Sequence, residues 1–265
     1  MQSNIPAFDT IEITLDGAAG RLRLNRPATR NAFNRQMMQD IIDGARWFNG
    51  RSDIKVVVFG GNGAGFCSGF DLNNFSPDAS PEEVRSIVAL GSELTDVILH
   101  MRAITIAAVH GHCIGGGVVL AAACDFRYAS EDATFLLPET ALGIPLAWGG
   151  IPLLVRELGP LMATEFTLLC EFMPADRALR LGMLNDVVPR HMLEDRVGRS
   201  TETLLLRSSL VLEATKQQIM AARESLVSGA NAFADAHLLY SGLRDGASQN
   251  ARAAYLQSRK PAKAP

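Results

Sequence analysis

No stretch of this sequence approaches the roughly 18 consecutive apolar residues that a membrane-spanning helix needs, which argues against an integral helical membrane protein. The first residues, "MQSNIPAFDT", lack the basic start and apolar core of a secretory signal, so a cytoplasmic protein is the expectation. Four cysteines, Cys67, Cys113, Cys124 and Cys170, show no CxxC or other zinc-ligand spacing, and reduced thiols are the simplest reading. Basic residues are scattered and the net charge is -3, which argues against a nucleic-acid surface. Neither a short internal repeat nor a low-complexity linker interrupts the chain.

Several catalytic signatures are also missing. "GNGAGFCSG" holds no G-x-G-x-x-G that leads into a helix, and there is no G-x-x-x-x-G-K-[ST]. Ser68 does not lie within G-x-S-x-G, so a nucleophile elbow is unsupported. His110 and His112 have no visible third metal ligand and read as loop histidines that hydrogen-bond locally. No metal site is expected. Cys67 and Cys113 read as small packing residues rather than nucleophiles.

What is present is a large core: 265 residues, 48% hydrophobic and 20% charged, enough for one large domain or one domain with a helical appendage. Alternation of Ile11, Ile13 and Leu15, then Leu22 and Leu24, predicts two strands around the turn "DGAAG". A helix follows, capped by Asn34, with Met37, Met38, Ile41, Ile42, Ala45 and Phe48 on its apolar face. "IKVVVFGG" and "ITIAAVHG" read as buried strands, residues 81 to 101 as a helix, "VVLAAACD" as a short buried helix and "FRYAS" as a strand. "ATFLLPETALGIPLAWGG" reads mostly as loop; from Ile151 helices dominate, with one strand-like interruption, "LNDVVP". Each buried strand ends in glycines before a helix, an α/β layout with its loops at one sheet edge. Loops around Gly69 and Gly116 are candidates for opposite walls of one site. Backbone N–H groups in such loops, aided by a helix dipole, suit an oxyanion formed when an acyl carbonyl becomes an enolate.

The segments "LNRPATRNAF", "FCSGFDL", "AAVHGHCIGGGVVLAAACDFRYASEDATFLLPETALGI" and "TLLCEFMPADRALRLGMLNDVVP" occur in the order and spacing of one family. The chain resembles the crotonase superfamily, the enoyl-CoA hydratases and isomerases. The resemblance implies an α/β fold, a crotonase-like spiral of ββα units with a C-terminal helical region. It divides the chain into an acyl-CoA-binding core, 1–205, and a helical region, 206–265, that packs on neighbouring subunits of a homotrimer or homohexamer. It also implies a coenzyme A thioester as substrate and no separate cofactor. The thioester oxygen would be held by the backbone amides of Phe70 and Gly116. Phe70's ring would narrow the acyl pocket or simply pack. Ala32, Ser68, Phe70, Asp71, Leu72 and Gly116 are the implied coenzyme A contacts, with ordinary turn roles as the other reading for the first two and for Asp71 and Leu72. Arg259 and Lys260 would lie near its phosphates.

Hydratases of the family carry one carboxylate two residues after the glycine triplet, where this chain has Val119, and another that is kept here as Glu139. A valine followed by "ETxLGI" is similar to single-glutamate 3,2-enoyl-CoA isomerases. The resemblance therefore implies Glu139 as a proton shuttle in double-bond migration, its other reading being a surface or capping carboxylate after Pro138. Two alternatives stay open: a hydratase or lyase with an unconventional acid, such as Glu93 on the 81–101 helix or a bound water, and a non-catalytic acyl-CoA binder. The family's Pro-Gly turn is replaced by "LGIPLAWGG", in which Trp148 either caps a short acyl group or fills space left by the lost carboxylate. Asp125 is expected to be structural, and Glu131, Asp132 and Glu165 to be solvated or helix-terminal charges.

Overall fold

In the computed structural model, which describes residues 5–72, 78–228, 232 and 234–258, the first alternating run forms β1 (Ile11–Asp16). It pairs antiparallel with β2 (Ala19–Leu24), which sets Ile13 opposite Leu22 and Ile11 opposite Leu24. Gly17, at φ 56, makes the turn between them. Helix α1 (Arg35–Asn49) starts where Asn34 accepts a 2.8 Å hydrogen bond from the Met37 N–H. The six apolar side chains that share its inner face are all fully buried. Helix α2 (Pro81–Leu99) opens with a capping box in which Ser80 and Glu83 satisfy each other's backbone N–H groups.

The apolar runs become β3 (Val56–Gly61) and β4 (Ile104–Val109), buried between layers. With β6 (Phe126–Ser130) and β9 (Asp186–Val188) they complete a six-stranded sheet in the order β1-β2-β3-β4-β6-β9. Every pairing after the first is parallel, so the loops that leave β3 and β4 emerge at the same edge.

Three short strands not anticipated from the sequence, β5 (His112–Ile114), β7 (Thr134–Leu136) and β8 (Met173–Pro174), make a second, smaller sheet. With α3 (Gly116–Ala123) and α4 (Gly150–Leu169) the chain repeats strand–strand–helix as β1-β2-α1, β4-β5-α3 and β6-β7-α4. The expected spiral of ββα units is therefore observed. Helix α4 breaks at Gly159, φ 73, just before Pro160.

All eight residues of α3 are buried, as their uniformly apolar character requires. Asp125 behind it is structural, as expected: its Oδ2 accepts from the Thr105 N–H (2.8 Å), the Thr105 hydroxyl (2.9 Å) and Lys216 Nζ (2.7 Å). Lys216 lies on α7 (Ser209–Leu226), which follows α5 (Ala175–Arg180) and α6 (Leu193–Leu205). The chain then runs through α8 (Asp235–Arg244) and α9 (Gly246–Ser258).

Beyond the expected helical character of the C-terminal region, α8 and α9 fold back on their own chain. Leu239 and Leu243 join the main core beside α2, and Arg252 Nε donates to the Leu142 carbonyl at 3.0 Å. Arg259 and Lys260 lie outside the described residues. Among the described residues no helix is long and apolar enough to cross a membrane.

Candidate active site

The loop after β3 is braced from below by Asn31, a fully buried residue at φ 56. Its Nδ2 is shared among the carbonyls of Asn62, Gly65 and Phe66 at 2.9–3.1 Å, and its Oδ1 accepts from the Arg26 N–H. The braced loop then runs beside β5: Cys67 N–H donates to the His112 carbonyl, and Ile114 N–H to the Cys67 carbonyl. Both thiols are buried, which pushes Cys67 up to about 12 and Cys113 well above its ordinary value. Neither forms a thiolate at neutral pH, in keeping with packing roles.

This pairing presses two glycines together. Gly69 sits at φ 85, and a Cβ on it would lie 2.8 Å from the Ile114 carbonyl oxygen. Gly115 sits at φ 53, and a Cβ there would lie 2.7 Å from Glu139 Oε1. Both positions need the backbone freedom and the missing side chain of glycine. The residues that follow, Phe70 and Gly116, line one cavity of about 300 Å³ together with Glu139.

Phe33 N–H donates to the Gly69 carbonyl and Asp71 N–H to the Phe33 carbonyl, so the Phe70 N–H points away from Phe33. Gly116 is the first residue of α3, where helical N–H groups have no intrahelical acceptor and the dipole is positive. The two loops thus bring their main chains to one wall of one cavity.

Glu139 follows β7, in a turn closed by Leu142 N–H on the Pro138 carbonyl and Ile144 N–H on the Glu139 carbonyl. The residue opens partly to the cavity, but its Oε2 is buried and has no hydrogen-bond partner among the described residues. Burial raises its pKa from 4.5 to about 7. It is the one carboxylate among the described residues that line this cavity; Val119, 1% exposed, contributes an apolar side chain to the same lining.

Other calls divide. Ser68 and Leu72 line the cavity. Ala32 and Asp71 do not; both are buried, and Arg26 contacts the Ala32 carbonyl and the Asp71 carboxylate, which steadies the turn. Glu93, expected as an unconventional acid, does not reach the site: it lies on the outer face of α2, exposed and paired with Arg46, away from the cavity. The core-facing positions there are Gly91, Leu94 and Thr95, and the helical repeat turns Glu93 outward.

His110 and His112 place Nε2 at 3.1 Å from the Gly63 carbonyl and 3.3 Å from the Arg30 carbonyl, as local hydrogen bonding predicts. Among the described residues no group of three or more His, Cys, Asp and Glu side chains could hold a metal. Asp132 pairs with Arg190 and Glu165 with Arg177.

Sequence reasoning did not find Leu239 on α8 or Tyr255 and Leu256 on α9, which close the cavity from more than 80 residues downstream of the other walls. No local pattern signals such a contact. Arg30, at φ 53, also lines the cavity and was legible only as part of the "RNAF" turn.

A raised carboxyl pKa links stability to pH. Folded Glu139 keeps its proton up to about pH 7, while an unfolded glutamate releases it near 4.5, so the native state binds more protons in between. Its contribution is fully present below pH 4.5 and falls away as pH rises through 7, by about 3 kcal/mol at about 1.4 kcal/mol per pH unit. Urea unfolding between pH 5 and pH 8 should show the wild type losing stability relative to Glu139→Gln, which has no proton to release. Parallel pH curves for the two proteins would contradict the burial argument.

Comparison with known proteins agrees with this geometry. The family described as enoyl-CoA hydratase/isomerase matches residues 16–263. A crotonyl-CoA hydratase of Syntrophomonas wolfei is 33% identical over 211 residues, covering 79% of this chain and 81% of that one. A peroxisomal Delta(3,5)-Delta(2,4)-dienoyl-CoA isomerase of Arabidopsis thaliana is 30% identical over 233 residues, covering 82% and 84%. The crystal structure of an enoyl-CoA hydratase from Mycobacterium avium subsp. paratuberculosis superposes with a TM-score of 0.83 at 26% identity, covering 98% of this chain and all of that one. The chain belongs to the enoyl-CoA hydratase/isomerase family and is an enzyme of the crotonase superfamily.

Proposed function

We propose that the protein moves a carbon–carbon double bond in an acyl-CoA thioester, converting a 3-enoyl-CoA to the conjugated 2-enoyl-CoA. The observation that carries this reading is the lone carboxylate: Glu139 stands beside the two glycine loops with a pKa near neutrality and an apolar wall in place of a second acid. The Glu139 carboxylate takes a proton from C2, and the electron pair moves into a dienolate whose oxygen faces the Phe70 and Gly116 amides. The same proton is then returned to C4, which leaves the double bond between C2 and C3. One base suffices, and a pKa near the working pH suits both taking and giving the proton. Two backbone donors aimed at the developing oxyanion lower the barrier, each worth about 3 kcal/mol.

The pantetheine arm leaves past Ser68 and Leu72 at the cavity wall, beside the two segments that carry Ala32 and Asp71 and that Arg26 ties together. Exposed Leu210, Val211, Ile219 and Leu226 on α7 support assembly into a homotrimer or homohexamer, which sedimentation would establish.

Hydration is the second reading, favoured by the likeness to a crotonyl-CoA hydratase. It needs a further group to hold the water, and Val119 offers none. The discriminating experiment gives purified protein a 3-enoyl-CoA and, separately, a 2-enoyl-CoA, and follows the conjugated absorbance. Isomerisation makes it grow in the first case. Its bleaching in the second, with no growth in the first, would replace the isomerase reading by the hydratase one.

A further inference from the structure

Trp148 has a left-handed backbone, φ 63, which is uncommon for any residue other than glycine and costly for a bulky one. The conformation is held by packing. A Cβ on Gly91 of α2 would stand 2.1 Å from the indole Nε1, and one on Gly116 would stand 2.3 Å from Cζ3. The ring therefore fills a slot that exists only because both neighbours are glycine. Phe33 and Phe70 flank it, with ring centroids 6.0 and 6.2 Å away. The next residue, Gly149, is tied down by its N–H on Asp235 Oδ2 at 3.1 Å.

The benzo edge of the indole thus lies on Gly116, the residue that offers one of the two amides to the thioester oxygen. An acyl chain that continues from that carbonyl meets the indole within its first few carbons, with Val119 and Leu146 on the walls beside it. A cavity of about 300 Å³ is at the small end for ligand sites, and it must also admit the thioester.

We propose that Trp148 is a specificity-determining residue that closes the acyl end of the cavity and restricts the enzyme to short-chain acyl-CoA thioesters. This rests on the acyl-CoA reading of the site but not on which reaction follows. A competing path exists. Phe70, Ile87 and Leu239 also border a groove of about 260 Å³ between α2 and α8, where Val84 and Leu243 offer further apolar surface. A long chain that passed between them would bypass the indole.

Calorimetric titration with saturated butyryl-, hexanoyl-, octanoyl- and decanoyl-CoA, which have no double bond to react, tests the proposal. Wild type should bind the two shorter thioesters best and octanoyl-CoA at least tenfold more weakly. In Trp148→Ala the preference should invert, with affinity rising by about fourfold per added methylene as the opened space is filled. Trp148→Phe, which removes the part of the ring lying on Gly116, should shift the cut-off the same way by less, and it decides the matter if the alanine variant does not fold. Decanoyl-CoA bound by wild type as tightly as butyryl-CoA, and unchanged in either variant, would overturn the inference and assign the chain to the α2–α8 groove. Failure of wild type to bind any acyl-CoA would overturn both the inference and the acyl-CoA reading beneath it.

Discussion

Glu139→Gln is expected to slow 3-enoyl-CoA isomerisation by about a thousandfold, the scale of losing a well-placed general base. Glutamine keeps the shape of the side chain and has no charge to desolvate, so it should fold at least as stably as wild type at pH 7. Because the substitution removes proton transfer rather than contact surface, the loss should appear in kcat while the affinity for a saturated acyl-CoA changes little. In wild type, kcat/KM should rise with pH through about 7, where burial places the Glu139 titration. Stopped-flow absorbance across pH 5 to 9 reads both effects. Activity that survives Glu139→Gln would remove this carboxylate from the mechanism.

Gly69→Ala should also be damaging, although residue 69 supplies no chemistry. Its Cβ would lie 2.8 Å from a backbone oxygen, Ile114 O, which cannot swing aside as a side chain would. The loop carrying Phe70 must then separate from the one carrying Gly116, and the proposed oxyanion site between them opens. A loss of about a hundredfold or more in kcat is expected, the scale of losing one oxyanion donor. Gly17→Ala is the control: it has the same left-handed requirement, φ 56, but nothing within 4 Å of the added methyl. That variant should lose about 1–2 kcal/mol of stability and no activity per folded molecule. An equal fall in kcat in both variants would mean that strain alone explains the Gly69 effect, and wild-type kcat in both would contradict the loop-separation account. Thermal melts run beside the kinetics separate the two cases.

Long, strongly periodic elements were legible in the sequence. The inner face of α1 and its Asn34 cap, the buried runs of β3 and β4, and the five residues of β6 all appear where pattern places them. Strands β5, β7 and β8 were not legible, because two or three residues cannot display an alternation and their pairing comes from distant segments. The same limit hid the closure of the cavity by α8 and α9, which depends on tertiary packing rather than on any local signal.

At the candidate site, motif resemblance singled out Glu139, Phe70 and Gly116, and the fold brings all three to the lining of one cavity. Glu93 misled because helical spacing shows which residues share a face but not which face meets the cavity. Trp148 was undecidable in sequence, since its meaning lies in the two glycines, Gly91 and Gly116, between which it is wedged. That Glu139 Oε2 has no hydrogen-bond partner among the described residues was likewise invisible, being a property of its surroundings rather than of the residue.

The idea that bears the most weight is that two main-chain amides converge on a single thioester oxygen. Isotope-edited infrared spectroscopy of a saturated acyl-CoA, carbon-13 labelled at the carbonyl and bound to the enzyme, addresses it directly. Two donors on that oxygen weaken the C=O bond, so the band should move to lower frequency than in free ligand, and most of that displacement should vanish in Gly69→Ala. A bound thioester whose carbonyl band matches that in water would show that no such pair of donors is engaged.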